Sequence, residues 1–221
     1  MSRSNQPRAG QAIASAYASW SYAEEFFPQP EVSLQARANS HRLGLTPVSP
    51  GVAQTLTLLA RLIQAKAVVE IGTGAGVASL ALLAGMDPGG VLTSLDSEAD
   101  HHQIARAAAA QAGFPPRRHR FITGRALEVL RQLMDQAYDL VLIDAEPLEY
   151  PEYVEEALRL LRPGGLLAIH HALLDGAVAE ETNLDDEPLI VRETLEAVRE
   201  LEQLTSALLP VGDGLMVSIK R

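Results

Sequence analysis

The sequence predicts an α/β fold, a seven-stranded and mostly parallel sheet with helices on both faces and a C-terminal antiparallel hairpin. Three observations point to it. Short β-branched or leucine-rich runs alternate with longer amphipathic stretches, the pattern of repeated strand–helix–strand units. The run Tyr138–Ile143 is almost wholly apolar, as in a strand covered on both faces. The last two runs, Ser206–Val211 and Leu215–Lys220, are separated by Gly212-Asp213-Gly214, a reversing turn.

Residues 1–10 are rich in Ser, Asn, Gln, Pro and Arg and read as flexible. Gln11–Phe27 reads as a helix with Tyr17, Trp20, Phe26 and Phe27 at apolar positions. These aromatics suit a dimer surface, a cover over substrate, or core. Val32–Leu43 is a second helix, so residues 1–44 form a helical appendage to a domain over 45–221. Thr46–Gly51 breaks the chain, and Ser49 followed by Pro50 caps a helix over Val52–Gln64. Ala67–Ile71 is the first strand, followed by a helix at Ala75–Met86, a strand at Val91–Leu95 and a helix from Glu98 to Ala112 that stops at Gly113. His119–Thr123 and Tyr138–Ile143 are strands around a helix at Ala126–Asp135. Pro151–Leu161 is a helix and Leu166–His170 the fifth strand. An acidic loop, Asp175–Glu187, reads as solvated surface and leads into a helix at Pro188–Glu202.

With 28 acidic against 18 basic residues the formal net charge is −10, a surface that repels phosphate backbones and anionic lipid. The expected partner is a small-molecule acceptor, with no nucleic acid and no membrane. The chain has no cysteine, which removes disulfides and thiolate chemistry. It shows neither a signal peptide's apolar centre nor an apolar run of membrane-spanning length, so the cytoplasm is the expected compartment.

The sharpest local signal is Val69-Glu70-Ile71-Gly72-Thr73-Gly74-Ala75-Gly76, between a strand and a helix. Glycines there permit positive φ and close approach of a ligand, and the helix amino end attracts an anion. A dinucleotide loop would place a third glycine at 77, where Val77 stands; a P-loop would need Gly-Lys-Ser/Thr. Asp96 ends the second strand 20 residues after Gly76, at the distance where an acid reaches the ribose of an adenosine. Loop and acid together specify an adenosine ligand without choosing methyl over hydride transfer. His41, His101 and His102 read as surface residues without a role.

The chain from about Leu45 to Arg221 resembles the cation-dependent O-methyltransferases, the group of catechol and caffeoyl-CoA methyltransferases and their bacterial relatives. Besides the glycine loop, the marks are Phe121–Leu127, Asp139–Ala145, Tyr150-Pro151-Glu152-Tyr153, Leu160–Gly165 and Leu208–Leu215. The resemblance implies a Rossmann-like class I methyltransferase, S-adenosylmethionine (SAM) or S-adenosylhomocysteine (SAH) as ligand, and a homodimer. It implies that Val48, Glu70, Gly72, Thr73 and Ala78 line the methionine half of SAM, with Gly74 and Gly76 completing the loop. It places Asp96 and Ser97 at the ribose, Arg125 and Ala126 at the adenine, and Asp144 at the reaction centre.

The family pattern breaks around Asp144. The Asp-Asn pair that completes the family's metal site is His170-His171 here, and the Lys three residues after the first Asp is Pro147. One carboxylate and two imidazoles suit Mg²⁺ poorly and a softer divalent metal better. Three readings stay open: Asp144, His170 and His171 hold a softer metal; no metal binds and His170 or His171 is the base; or the domain binds SAM without catalysis. Because successive strand residues face opposite ways, only one of the two histidines is expected to reach the site.

Overall fold

The computed structural model describes residues 9–221. The expectation of a flexible stretch therefore falls, for residues 1–8, outside the described residues. Ala9 and Gly10 already open the first helix, α1 (Ala9–Glu25), which is followed by α2 (Glu31–Arg42) and α3 (Pro50–Leu62). Alternation then runs β1 (Ala67–Ile71), α4 (Val77–Gly85), β2 (Val91–Asp96), α5 (Ala99–Gln111), β3 (His119–Thr123), α6 (Ala126–Leu130) and β4 (Tyr138–Ile143). It closes with α7 (Tyr150–Leu160), β5 (Leu161–Ile169), α8 (Asp186–Glu200), β6 (Leu204–Leu209) and β7 (Leu215–Lys220).

The sheet order is β3-β2-β1-β4-β5-β7-β6, and β7 runs antiparallel to both of its neighbours. The hairpin is thus folded back so that its second strand lies inside, against β5. Alternating side chains of the buried strands feed two cores. Val68, Leu140, Leu142 and Ala168 pack under α3 and α4, while Val69, Ile71, Val141, Ile143, Leu167 and Ile169 pack under α7 and α8. In α7 the buried residues Tyr150, Tyr153, Val154, Ala157 and Leu160 recur at helical spacing, one stripe against the sheet.

The local signals act as their chemistry dictates. Ser49 Oγ accepts the Val52 N–H at 3.1 Å, with Pro50 in the first turn of α3. Most helix limits shift by one or two residues, and three elements differ in ways that shape the chain path. α6 stops at Leu130 instead of Asp135. β5 begins at Leu161, because a register shift opposite Tyr138/Leu140 lets Pro163-Gly164-Gly165 stay in the strand as a bulge. β6 starts and ends two residues early, which lengthens the hairpin loop to Pro210–Gly214. The core reading of the α1 aromatics is corrected: Tyr17, Tyr22, Phe26 and Phe27 are all more than half exposed, and Trp20 is 38% exposed.

Candidate active site

Register builds the site. Ile71 pairs with Leu95 and with Ile143, and Ile143 with Ile169, so four strands end level. The residues that follow, Gly72, Asp96, Asp144 and His170, therefore meet at one edge, where the strand order reverses between β1 and β4. A cleft of about 600 Å³ opens there. Of the expected ligand contacts, Val48, Gly72, Thr73, Gly74, Ala78, Asp96, Ser97, Arg125, Ala126 and Asp144 line it; Glu70 and Gly76 do not.

The three glycines are required for three different reasons. A Cβ on Gly72 (φ +93°) would meet the Asp144 carbonyl oxygen at 1.9 Å, so this glycine serves the crossing of β1 and β4. A Cβ on Gly76 (φ +89°) would press on Ala105 of α5 at 3.0 Å. Gly74 (φ +49°) faces the cleft, where only Leu45 comes near. Two loop amides are not free for a ligand, as Thr73 N–H and Gly74 N–H donate to Asp96 Oδ2 at 3.1 and 2.9 Å. Anion attraction is left to the amino end of α4, where Gly76 brings no capping side chain and Val77 and Ala78 line the cleft.

Asp96 is held on every side. Its Oδ1 accepts Glu98 N–H at 2.9 Å, and His101 Nδ1 lies 3.1 Å from both oxygens. The reading of His101 and His102 as surface residues is corrected. His101 lines the cleft, and His102 is fully buried between the Thr73 hydroxyl (3.0 Å) and the Thr123 hydroxyl (2.9 Å). Burial pushes the His102 pKa down, so the ring stays neutral and bridges the glycine loop to β3.

Glu70 lies beneath this edge with no solvent exposure. Ser79 Oγ donates to its Oε2 at 2.5 Å, and its Oε1 has no hydrogen-bond partner. Burial raises its pKa to about 8 against the opposing hydrogen bonds of Ser79 and Ser94, with the charges of Asp144 and Asp96 adding to the rise.

The two adjacent histidines both reach Asp144. Strand alternation does not apply, because β5 ends at Ile169 and His171 turns left-handed (φ 52°). Their rings stand 4.0 Å apart. Of the two histidines read as candidate bases, His170 is set back from the cleft. It is 1% exposed and absent from the cleft wall, and its Nδ1 is tied to Asp144 Oδ1 at 2.7 Å. Its backbone is clamped by N–H donation to Ile143 and by the buried Tyr150 hydroxyl, which donates to its carbonyl at 2.9 Å. His171 is the one that lines the cleft. Its Nδ1 lies 3.0 Å from Asp213 Oδ2, while its Nε2 stands 3.9 Å from Asp144 Oδ1. A carboxylate only accepts, so Nδ1 carries a proton, and in the neutral ring Nε2 is the nitrogen with the lone pair. Burial lowers the His171 pKa, but the Asp213 hydrogen bond and the charges of Asp144, Asp213 and Asp175 outweigh it and the net shift is upward.

Asp144, His170 and His171 place one candidate ligand atom each within 4.8 Å of one another, the single such trio among the described residues. The donor chemistry does not fit Mg²⁺, which wants an oxygen shell, since the set offers one carboxylate. Both imidazoles are moreover already engaged by carboxylates, His170 by Asp144 and His171 by Asp213. Residues missed in the sequence also border the cleft: Leu45, Thr46, Pro47, Glu146, Glu149 and Tyr153, whose hydroxyl donates to Glu149. A second cavity of about 770 Å³ adjoins, sharing Thr46 and His171 with the first. Its wall carries Asp175, Asp185, Asp186, Glu187 and Asp213, so the acidic loop, solvent-exposed as expected, also forms one side of this cavity.

Known proteins resemble this chain in sequence and in fold. A Mycobacterium tuberculosis (strain H37Rv) protein named as a probable O-methyltransferase is 45% identical over 201 residues, 91% of this chain and 90% of that one. A crystal structure from Corynebacterium glutamicum matches with a TM-score of 0.86 at 32% identity, covering 94% of this chain and 97% of that one. The Bacillus cereus O-methyltransferase in complex with SAH matches at 0.82 with 25% identity, covering 92% and 99%. The Streptomyces achromogenes O-methyltransferase TomG, in complex with SAM and involved in tomaymycin synthesis, matches at 0.81 with 26% identity, covering 97% and 99%. The family model for O-methyltransferases matches residues 30–221, and this chain belongs to the O-methyltransferase family.

Proposed function

We propose that the cleft binds SAM and that His171, oriented by Asp213, takes the proton from the hydroxyl of a small acceptor as that oxygen is methylated. Support for SAM comes from the SAH- and SAM-bound relatives, from a cleft within the size range of small-ligand sites, and from Asp96 beside the open amino end of α4. The ribose hydroxyls displace His101 from Asp96 and donate in its place. SAM supplies a methyl group already activated on sulfonium, so what the protein adds is alignment and removal of one proton.

The observation that carries this reading is the Asp213–His171 pair, a carboxylate-anchored imidazole whose Nε2, free of that anchor, stands beside Asp144 on the cleft wall. The acceptor enters through the adjoining cavity, where four further carboxylates favour neutral or cationic molecules over thioesters of coenzyme A. The working form is a cytoplasmic homodimer in which α1 and α2 cover the α3–α5 side of the domain. No helix among the described residues is long and apolar enough to cross a membrane.

Turnover of hydroxylated aromatic acceptors with SAM tests the reading. Activity is expected to survive exhaustive chelation. His171→Ala is expected to lower kcat by about 10²-fold or more and to leave SAH affinity by calorimetry within a few-fold. Full kcat in His171→Ala, or activity that disappears with the chelator and returns with a metal, would sink it.

A further inference from the structure

Glu24 of α1 is the one carboxylate of the N-terminal helices that the described structure buries; it is 5% exposed. Its two oxygens have separate partners far apart in the chain. Oε2 accepts Gly51 N–H at 2.7 Å, in the first turn of α3, and Oε1 accepts Gly212 N–H at 2.7 Å, in the loop between β6 and β7. Both partners are glycines because nothing larger fits. A Cβ on Gly51 would meet Glu24 Oε1 at 2.6 Å, and one on Gly212, at φ +55°, would meet Ser49 Oγ at 2.6 Å. The carboxylate is thus built in, clamped between a helix amino end and a loop turn.

Each clamped segment carries one wall of the reaction centre. Gly51 follows Val48 and Ser49, and Val48 lines the cofactor cleft. Gly212 precedes Asp213, which holds His171. The same loop is fastened to the segment after β5 by Leu173 N–H donating to the Asp213 carbonyl at 3.0 Å and by Asp175 N–H donating to Asp213 Oδ1 at 2.5 Å. We infer that Glu24 is a positioning residue for methyl transfer: by fixing Gly212 it sets where Asp213 stands, and through Asp213 the orientation of the His171 ring. The N-terminal helix is then a working part of the active site although it touches neither cleft.

The inference rests on the proposed role of His171, and a double-mutant cycle separates the two. Glu24→Gln keeps the volume but offers one acceptor to two N–H groups. A charge-assisted hydrogen bond of this kind corresponds to roughly tenfold in kcat. The expected result is that loss in the native background, with less than about twofold change in an Asp213→Asn background, because the group being positioned is already disabled. A variant that merely destabilised the fold would cost the same factor in both backgrounds. Gly212→Ala, which breaks the clamp from the loop side, serves if Glu24→Gln does not accumulate, and the same cycle is expected to hold. Equal losses in both backgrounds, or no loss in the native one, would overturn the inference. If Asp213→Asn and His171→Ala themselves leave kcat unchanged, it is the assignment of the base that fails.

Discussion

His171 owes its usefulness to a backbone conformation most residues avoid. A left-handed φ of 52° just past β5 swings its ring back to Asp144, and histidine is among the residues that tolerate this region. Its raised pKa gives the pH dependence a definite sign. A base must be neutral, so kcat is expected to rise with pH through a midpoint above that of an ordinary histidine. Asp213→Asn removes the hydrogen bond and a charge that raise it, so the midpoint should move to lower pH while the plateau falls. A pH–kcat profile with an unmoved midpoint would contradict this. Glu70 behaves in the opposite sense for stability. Its pKa is near the usual carboxylate value when unfolded and about 8 when folded, so the folded state holds the extra proton between these limits. Stability is present below the unfolded value and declines as pH rises towards 8. Glu70→Gln should flatten that decline, so the melting temperatures of variant and native protein should diverge most at alkaline pH; parallel curves would refute the claim.

Among the elements, β1 and β4 have the limits that their apolar runs foretold, since strands buried on both faces leave little room for ambiguity. The glycine loop was legible as a site but not in its detail. Only at Gly74 would a Cβ point into open cleft, while at Gly72 and Gly76 it would meet neighbouring backbone and α5. Spacing along one chain cannot reveal which distant segment will press on a glycine. Gly72→Ala is accordingly expected to act on folding: a Cβ against the Asp144 carbonyl should cost about 3 kcal/mol or more, roughly 10 °C in Tm. A melting curve within 2 °C or so of the native one would show that β1 and β4 can part. The error over His102 was avoidable. Ala105, Ala108 and Ala109 lie at +3, +6 and +7 from it on α5, so the buried face of small residues passes through the histidine. His101, one position away, points back along the first turn towards the acid that precedes the helix.

At the level of the molecule, charge and exposed surface divide the work. The acidic second cavity repels anionic acceptors, whereas α1 and the segment after it expose Tyr17, Tyr22, Phe26 and Phe27, with Trp20 partly exposed. Five exposed aromatics between residues 17 and 27 are an apolar surface of the kind that marks an interaction site. In the proposed homodimer they meet a second copy. Light scattering is expected to give twice the 23.7 kDa chain mass, and Trp20→Glu with Phe27→Glu to halve it; a native protein of single-chain mass would end that proposal. Topology was predicted in its content of five parallel strands and a hairpin, but the placement of β7 inside β6 was not, because pairing order is decided between strands. That placement has a consequence for biosynthesis. While the ribosome has yet to deliver residues beyond 215, β5 has an open flank of unpaired amides and carbonyls, and neither Asp213 nor Gly212 has reached its station. The nascent chain must therefore keep a sticky margin shielded until β7 slides in, and the proposed Asp213–His171 pair is in place only from then on.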